Sequence, residues 1–200
     1  MIQIAEYNKF IDDNFYVIED IRRHAFHLHD VEVNQLYGDG HPYSYHLKMV
    51  AQYALQYAYL VCEDIDHVIP VIFGAYFHDS IEDARKTYHD ILTLAKTFMS
   101  EEQAIMATEI VYALTDEKGR TRAERGSEKH YEDIRKTKYA PFVKFCDRYA
   151  NLLYSIENGS RMANVYKKEM PDFIKKIGND LYVPSKLVNL IERICNNKLY

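Results

Sequence analysis

Apolar residues recur along this chain at threes and fours, the period of a helix with one buried face. The stretch "IAEYNKFIDDNFYVIEDIRRHAFHLHD" carries Ile4, Tyr7, Phe10, Ile11, Phe15, Ile18, Ile21 and Phe26 at that spacing. In "NQLYGDGHP", Gly38, Gly40 and Pro42 interrupt the pattern, as turn-forming residues do. Helical spacing resumes near Tyr43 and continues through "YHLKMVAQYALQYAYLV". A further helix follows Asp66 and is predicted over 70–86, and another over 88–98. Ser100 before Glu101 and Glu102 marks a helix start, because a hydroxyl caps free N–H groups and acids suit the first turn. That helix ends near "LTDEKGR". Residues 120–137 are strongly charged, with more basic than acidic groups. Pro141 then sits in the first turn of a helix that Gly159 closes, and two shorter helices are predicted near 161–176 and 185–197. Period-2 runs bounded by hairpin turns are not found, nor are repeats or a linker. The expected fold is all-α: one helical bundle, a single domain over 1–200.

Bulk properties narrow the function classes. With 200 residues and 48% of them hydrophobic, the chain can bury a full core without disulfides. The net charge of −5 disfavours nucleic-acid binding through a basic face. Cys62, Cys146 and Cys195 are odd in number and widely spaced, which fits reduced thiols in the cytoplasm better than a disulfide framework. The N-terminal "MIQIAEYNKFIDD" lacks the basic and then apolar segments of a signal peptide. The longest apolar run, near 68–77, is far short of the roughly 20 residues of a membrane span. The chain is therefore expected to be cytoplasmic, with no membrane partner. The sequence leaves the oligomeric state open.

Candidate chemistry concentrates in "AYFHDSIEDA", where an apolar run meets His78, Asp79, Glu82 and Asp83. On a helix, His78 and Glu82 are one turn apart, as are Asp79 and Asp83. Three acids at a helix C-terminus repel one another and the helix dipole, so a positive group belongs there. A divalent metal is the simplest one, since imidazole and carboxylate are both good ligands. Its remaining ligands must come from elsewhere. His46 lies early on a helix with an apolar face. Asp147 lies in "FVKFCDRYANLL", where its apolar neighbours leave an acid in need of a partner. A rival cluster, His24, His27 and His29, reads as surface or groove histidines. Tyr53, Tyr57 and Tyr59 read as core or groove lining. No P-loop, dinucleotide fingerprint or nucleophile elbow is present.

The order His … His-Asp … Asp resembles the signature of the HD-domain phosphohydrolases. A narrower likeness is to the hydrolase domain of RelA/SpoT-type alarmone enzymes. "GHPYSYHLKMVA" resembles their G-x-P-Y-x-x-H-P-x-x-V-A, and "HDSIEDA" their H-D-x-x-E-D-T. "ALTDEKGR" is similar to their V-T-D-x-K turn, and "VKFCDRYANL" to their I-K-L-A-D-R-L-x-N. The four segments span roughly 25–155, and the compact length is most like the stand-alone hydrolases of the metazoan SpoT homologue type. The resemblance implies that His46, His78, Asp79 and Asp147 hold one divalent metal, in this family most often Mn²⁺. It implies that Glu82 and Asp83 position or deprotonate the attacking water. Asn151, Lys144, Lys118, Arg122 and Arg125 would contact a small-molecule nucleotide, best matched by guanosine 3′,5′-bis(diphosphate), cleaved to GDP and pyrophosphate. The family leaves the Ser80 position free. Three positions depart from the pattern: Leu47 replaces a Pro, Tyr154 a Thr, and Tyr37 stands where the family has an Arg that stacks on guanine. A tyrosine there can stack on a base but brings no cation. Two alternatives follow: another nucleotidase or phosphodiesterase of the wider superfamily, or a nucleotide- or metal-binding sensor with little turnover.

Overall fold

A computed structural model describes residues 2–116, 120, 121, 124, 126–177 and 182–196. Among these described residues it contains ten α-helices and one minimal two-stranded sheet, an all-α bundle in a single domain. In chain order the helices are α1 (Ile4–Asp13), α2 (Phe15–Phe26), α3 (Ser44–Val61), α4 (Val68–Phe77), α5 (Tyr88–Ala95) and α6 (Glu101–Leu114). They continue with α7 (Glu128–Lys136), α8 (Ala140–Glu157), α9 (Met162–Ile177) and α10 (Ser185–Cys195). Three free cysteines lie inside them or at their ends, with Cys62 and Cys146 buried and Cys195 half-buried.

Helix α4 is the axis of the bundle. Every residue from Val68 to Phe77 is buried, which explains why its sequence is apolar on all sides rather than striped. Helices α2, α3, α6 and α8 pack around it. Phe73 and Phe77 are fully buried and stacked on each other, with ring centroids 4.4 Å apart. Burial of each such side chain stabilises the fold by ~1.5–3 kcal/mol. Gly74 lets α6 approach: a methyl group there would lie 2.6 Å from Ile110 Cγ2.

The expected helix over 70–86 stops early. Its regular part begins at Val68 and ends at Phe77. The Ser80 N–H then donates to the Phe77 carbonyl (2.9 Å), a tightened turn, and the Asp83 N–H donates to the Asp79 carbonyl (2.8 Å). Arg85, at φ +55°, turns the chain out of the helical path. His78, Asp79, Glu82 and Asp83 thus ride on a short run of turns just past the C-terminus of α4.

The N-terminal pattern is also broken. Asn14 separates α1 from α2, and residues His27–Glu32 form a π-helical turn. His24 and His27 are exposed as expected, whereas His29 on the π turn is fully buried. "NQLYGDGHP" forms a hairpin, not an irregular loop: β1 (Leu36–Tyr37) pairs antiparallel with β2 (His41–Pro42). Gly38 at its tip has φ +55°, and an added Cβ would lie 2.0 Å from the Tyr154 hydroxyl oxygen. Only glycine fits that approach. Helix α7, inside the charged 120–137 stretch, was not expected. It is amphipathic all the same, burying His130, Tyr131 and Ile134. Both expected helix starts are observed: Ser100 forms a capping box with Gln103, and Pro141 lies in the first turn of α8.

Candidate metal centre and cleft

Helices α3 and α8 and the turn after α4 bring four side chains to one point. His46 sits in the first turn of α3, where the Asp30 carboxylate accepts the Ser44 N–H (2.9 Å) and fixes the helix start. His46 Nε2 lies 3.3 Å from His78 Nε2, 3.3 Å from Asp147 Oδ1 and 3.7 Å from Asp79 Oδ2. His78 Nε2 lies 2.9 Å from Asp79 Oδ2 and 3.8 Å from Asp147 Oδ1. Both imidazoles are 2% exposed.

Two features show that these donors fit a cation. First, His78 Nδ1 donates to the Ala75 carbonyl (2.9 Å), so a cation that displaces the Nε2 proton meets a neutral ring with a bare Nε2 aimed at the cluster. A bare nitrogen facing a second imidazole nitrogen and two carboxylates is repelled unless positive charge lies between them. Second, three of the spacings, 2.9, 3.3 and 3.3 Å, match those of donors around one ion, while the other two are wider, at 3.7 and 3.8 Å. Donors ~2.1 Å from a common ion lie about 3.0 Å apart at right angles and about 3.4 Å apart at tetrahedral angles. His46 Nδ1 is buried with no hydrogen-bond partner among the described residues. The ring is therefore held by its Nε2 contacts and by Tyr37, stacked on it at 4.8 Å.

Electrostatics point the same way. Burial alone would push the His78 imidazole down, but the charge and hydrogen bond of Asp79 and the charge of Asp147 reverse it, to about 9. Burial would raise the Asp79 carboxyl, yet His78, His46 and the Tyr43 hydroxyl hold it far below the ordinary range. Asp147 is likewise held far down, against its burial, by His46, Lys144 and His78. The cluster draws positive charge to its centre.

A second layer orients these ligands. The Tyr43 hydroxyl, kept protonated by burial and by nearby Asp79, donates to Asp79 Oδ2 (2.5 Å). Asn151 Nδ2 donates to Asp147 Oδ1 (2.5 Å), and Asn151 Oδ1 accepts from the Tyr37 hydroxyl (2.9 Å). Asn151 and Tyr37, expected to contact a nucleotide, are thus tied to the clustered donors: one braces Asp147 and the other braces Asn151 and covers His46. Only Asn151 lines the cleft described next.

A cleft of ≈590 Å³ opens from the cluster between α7, α8 and α9, a size that suits a nucleotide. Glu82 and Asp83 stand on its rim, both solvent-accessible. Glu82 Oε2 accepts the Asp116 N–H (3.3 Å). Burial, with the negative charges of Asp116, Asp79 and Asp83, raises the Glu82 carboxyl above the ordinary glutamate range, although the Asp116 N–H opposes this. Asp83 Oδ2 accepts from Gln35 Nε2 (2.7 Å). Lys144 Nζ lies 3.7 Å from Asp147 Oδ2 and 3.9 Å from Asp116 Oδ1. Burial would lower its pKa, but the charges of Asp147, Asp116 and Asp79 raise it, so the ammonium stays charged. Arg148 pairs with Glu169 (2.9 Å) and lies over the rings of Tyr166 and Phe173. Lys118, Arg122 and Arg125 lie outside the described residues.

Sequence reasoning did not single out Asp116, Tyr43, Gln35 or Arg148 as parts of the site. Asp116 and Tyr43 lie inside quoted segments, "ALTDEKGR" and "GHPYSYHLKMVA", so a signal for them was present. Gln35 sits in an interrupted, polar stretch and carries none. No described helix is long and apolar enough to cross a membrane. Compared with models of known protein families and with curated proteins, the chain matches none.

Proposed function

We propose that the protein is a metal-dependent phosphohydrolase of the HD-domain type, acting on a phosphate or pyrophosphate ester of a nucleotide. The observation that carries this reading is the convergence of His46 Nε2, His78 Nε2, Asp79 Oδ2 and Asp147 Oδ1 at the floor of a nucleotide-sized cleft. The favoured substrate is guanosine 3′,5′-bis(diphosphate), and Mn²⁺ the favoured ion; both rest on the sequence resemblance.

When bound, a divalent cation supplies Lewis acidity and eases the ionisation of water. It also answers an electrostatic problem. Among the described residues the cleft is lined by seven carboxylates but only three lysine or arginine side chains, so a polyphosphate needs added positive charge to enter. The protein's own groups divide the remaining work. Glu82, with its raised pKa, is a stronger base than an ordinary glutamate and accepts the proton of the attacking water. Asp83, held by Gln35, fixes the water's second hydrogen. Lys144 presents a charged ammonium to the phosphoryl oxygens. The water oxygen bonds to phosphorus, the bond from phosphorus to the ribose oxygen breaks, and that oxygen regains a proton from solvent. Pyrophosphate leaves with the water's oxygen.

One observation favours a second reading, a related nucleotidase or phosphodiesterase. Tyr37, at the place of the family's base-stacking Arg, has its ring against His46 and its hydroxyl committed to Asn151. It offers a guanine neither a cation nor a free ring face on that side. A substrate panel with Mn²⁺ tests both readings: ppGpp, pppGpp, NADPH, nucleoside mono- and triphosphates, and cyclic nucleotides. Pyrophosphate release from ppGpp and pppGpp alone is the expected result. Turnover of another member moves the protein to the second reading. Inertness throughout, with a nucleotide still bound, makes it a sensor.

A further inference from the structure

The sequence reads His29 as a surface or groove histidine and assigns Ser80 no role, yet both are 0% exposed and they touch each other. The π turn His27–Glu32 is what drives His29 inward: the Val33 N–H reaches back five residues to the Leu28 carbonyl (3.1 Å). Such a wide turn inside a helical run is frequent at functional sites. The His29 backbone carbonyl accepts the Gln35 N–H (2.9 Å), and the Gln35 carbonyl accepts the Tyr43 N–H (3.1 Å). The π turn, the hairpin and the start of α3 are therefore laced together around this one side chain.

The side-chain chemistry fixes every proton in the network. Asp83 accepts from Gln35, so the amide nitrogen of Gln35 faces Asp83 and its oxygen faces away (2.7 Å). That oxygen lies 2.8 Å from His29 Nδ1, and an amide oxygen only accepts, so Nδ1 carries the proton. His29 Nε2, 3.3 Å from Ser80 Oγ, is then bare and accepts the Ser80 hydroxyl. Burial keeps the ring neutral by lowering its pKa. The same ring stacks on Tyr43, with centroids 5.0 Å apart and planes 20° apart, and the Tyr43 hydroxyl donates to Asp79.

From this arrangement we infer that His29 is a positioning residue for the hydrolytic site, acting through Gln35 on Asp83. The inference rests on the reading of Asp83 as a water-positioning acid. Without the His29 Nδ1–H the Gln35 amide is free to flip, presenting oxygen to a carboxylate and repelling it. Asp83 then loses its orientation while the metal ligands keep theirs.

The test uses His29→Phe, which keeps the ring stacked on Tyr43 but removes both hydrogen bonds, beside Gln35→Ala at a half-buried position. Each should lower kcat by ~10–100-fold, the range for partners that orient ligands, with KM and metal content unchanged. The double variant should lose no more than the worse single one, since both break the same link. His29→Asn, whose amide nitrogen can stand in for Nδ1, should restore most of the rate. ¹⁵N NMR of the wild-type protein should show the neutral His29 ring protonated at Nδ1, and the Gln35 side-chain amide should be slow to exchange there but fast in His29→Phe. A proton on Nε2, multiplying losses in the double variant, or wild-type turnover in a folded His29→Phe would overturn the inference. If the wild-type protein turns over no substrate, the phosphohydrolase reading fails by itself. The tautomer and the amide exchange then decide the role of His29, and unchanged Gln35 exchange in His29→Phe rejects it.

Discussion

Glu82→Gln should lower kcat by about 10²–10⁴-fold, the usual share of a general base, while the metal stays bound. The substitution is nearly isosteric, and the amide oxygen of Gln can still accept the Asp116 N–H that Glu82 Oε2 accepts at 3.3 Å. What it removes is the capacity to take a proton. Glu82 is suited to that task because burial and the surrounding acids raise its pKa, so its ionised form binds a proton more tightly than a free glutamate does. It makes no contact with the four clustered donor atoms, so metal analysis of the variant should match the wild type. Wild-type kcat in Glu82→Gln would remove it from the mechanism. Loss of metal together with activity would make it a ligand instead.

His78→Ala should lose both the metal and the turnover. His78 is the ligand fixed most firmly from behind, by the Ala75 carbonyl, and its Nε2 is within 4 Å of all three other donors. Removing it also takes from Asp79 its strongest favourable charge and one of its two hydrogen bonds, leaving that of the Tyr43 hydroxyl. Thermal unfolding gives a readout free of activity. An ion at ~100 times its Kd stabilises the folded state by about 2.7 kcal/mol. In a domain of this length that is a rise of roughly 5–10 °C in Tm. Wild-type protein should show that rise on adding Mn²⁺ and His78→Ala should not. An equal rise in both would place the ion elsewhere.

The sequence showed most of the helices because their burial is striped at helical spacing or, in α4, complete. It did not show α7, whose buried face is only His130, Tyr131 and Ile134 among charges. It did not show the π turn either, since a one-residue widening of a helix leaves no pattern in composition, and "HLHD" looks polar although His29 and Leu28 are buried. The end of α4 at Phe77 was missed for a related reason: the i,i+4 spacing of His78 with Glu82 survives in a run of turns as it would in a helix. The four clustered donors were legible because histidine and acid in apolar surroundings are costly without a partner. The layer behind them was not. Tyr43 is one of 18 tyrosines and Gln35 an ordinary polar residue, and what sets them apart is the atom each one touches. The same holds for Asn151 and Tyr37: the family resemblance implied a nucleotide contact for each, and their positions tie them to Asp147 and His46.

The central claim is that His46, His78, Asp79 and Asp147 share one divalent ion. Crystals grown with Mn²⁺ and measured on both sides of the manganese absorption edge test it most directly. The account predicts one strong anomalous peak within bonding distance of His46 Nε2, His78 Nε2, Asp79 Oδ2 and Asp147 Oδ1. No peak among those four atoms in saturating Mn²⁺, or a peak held by other residues alone, would contradict it.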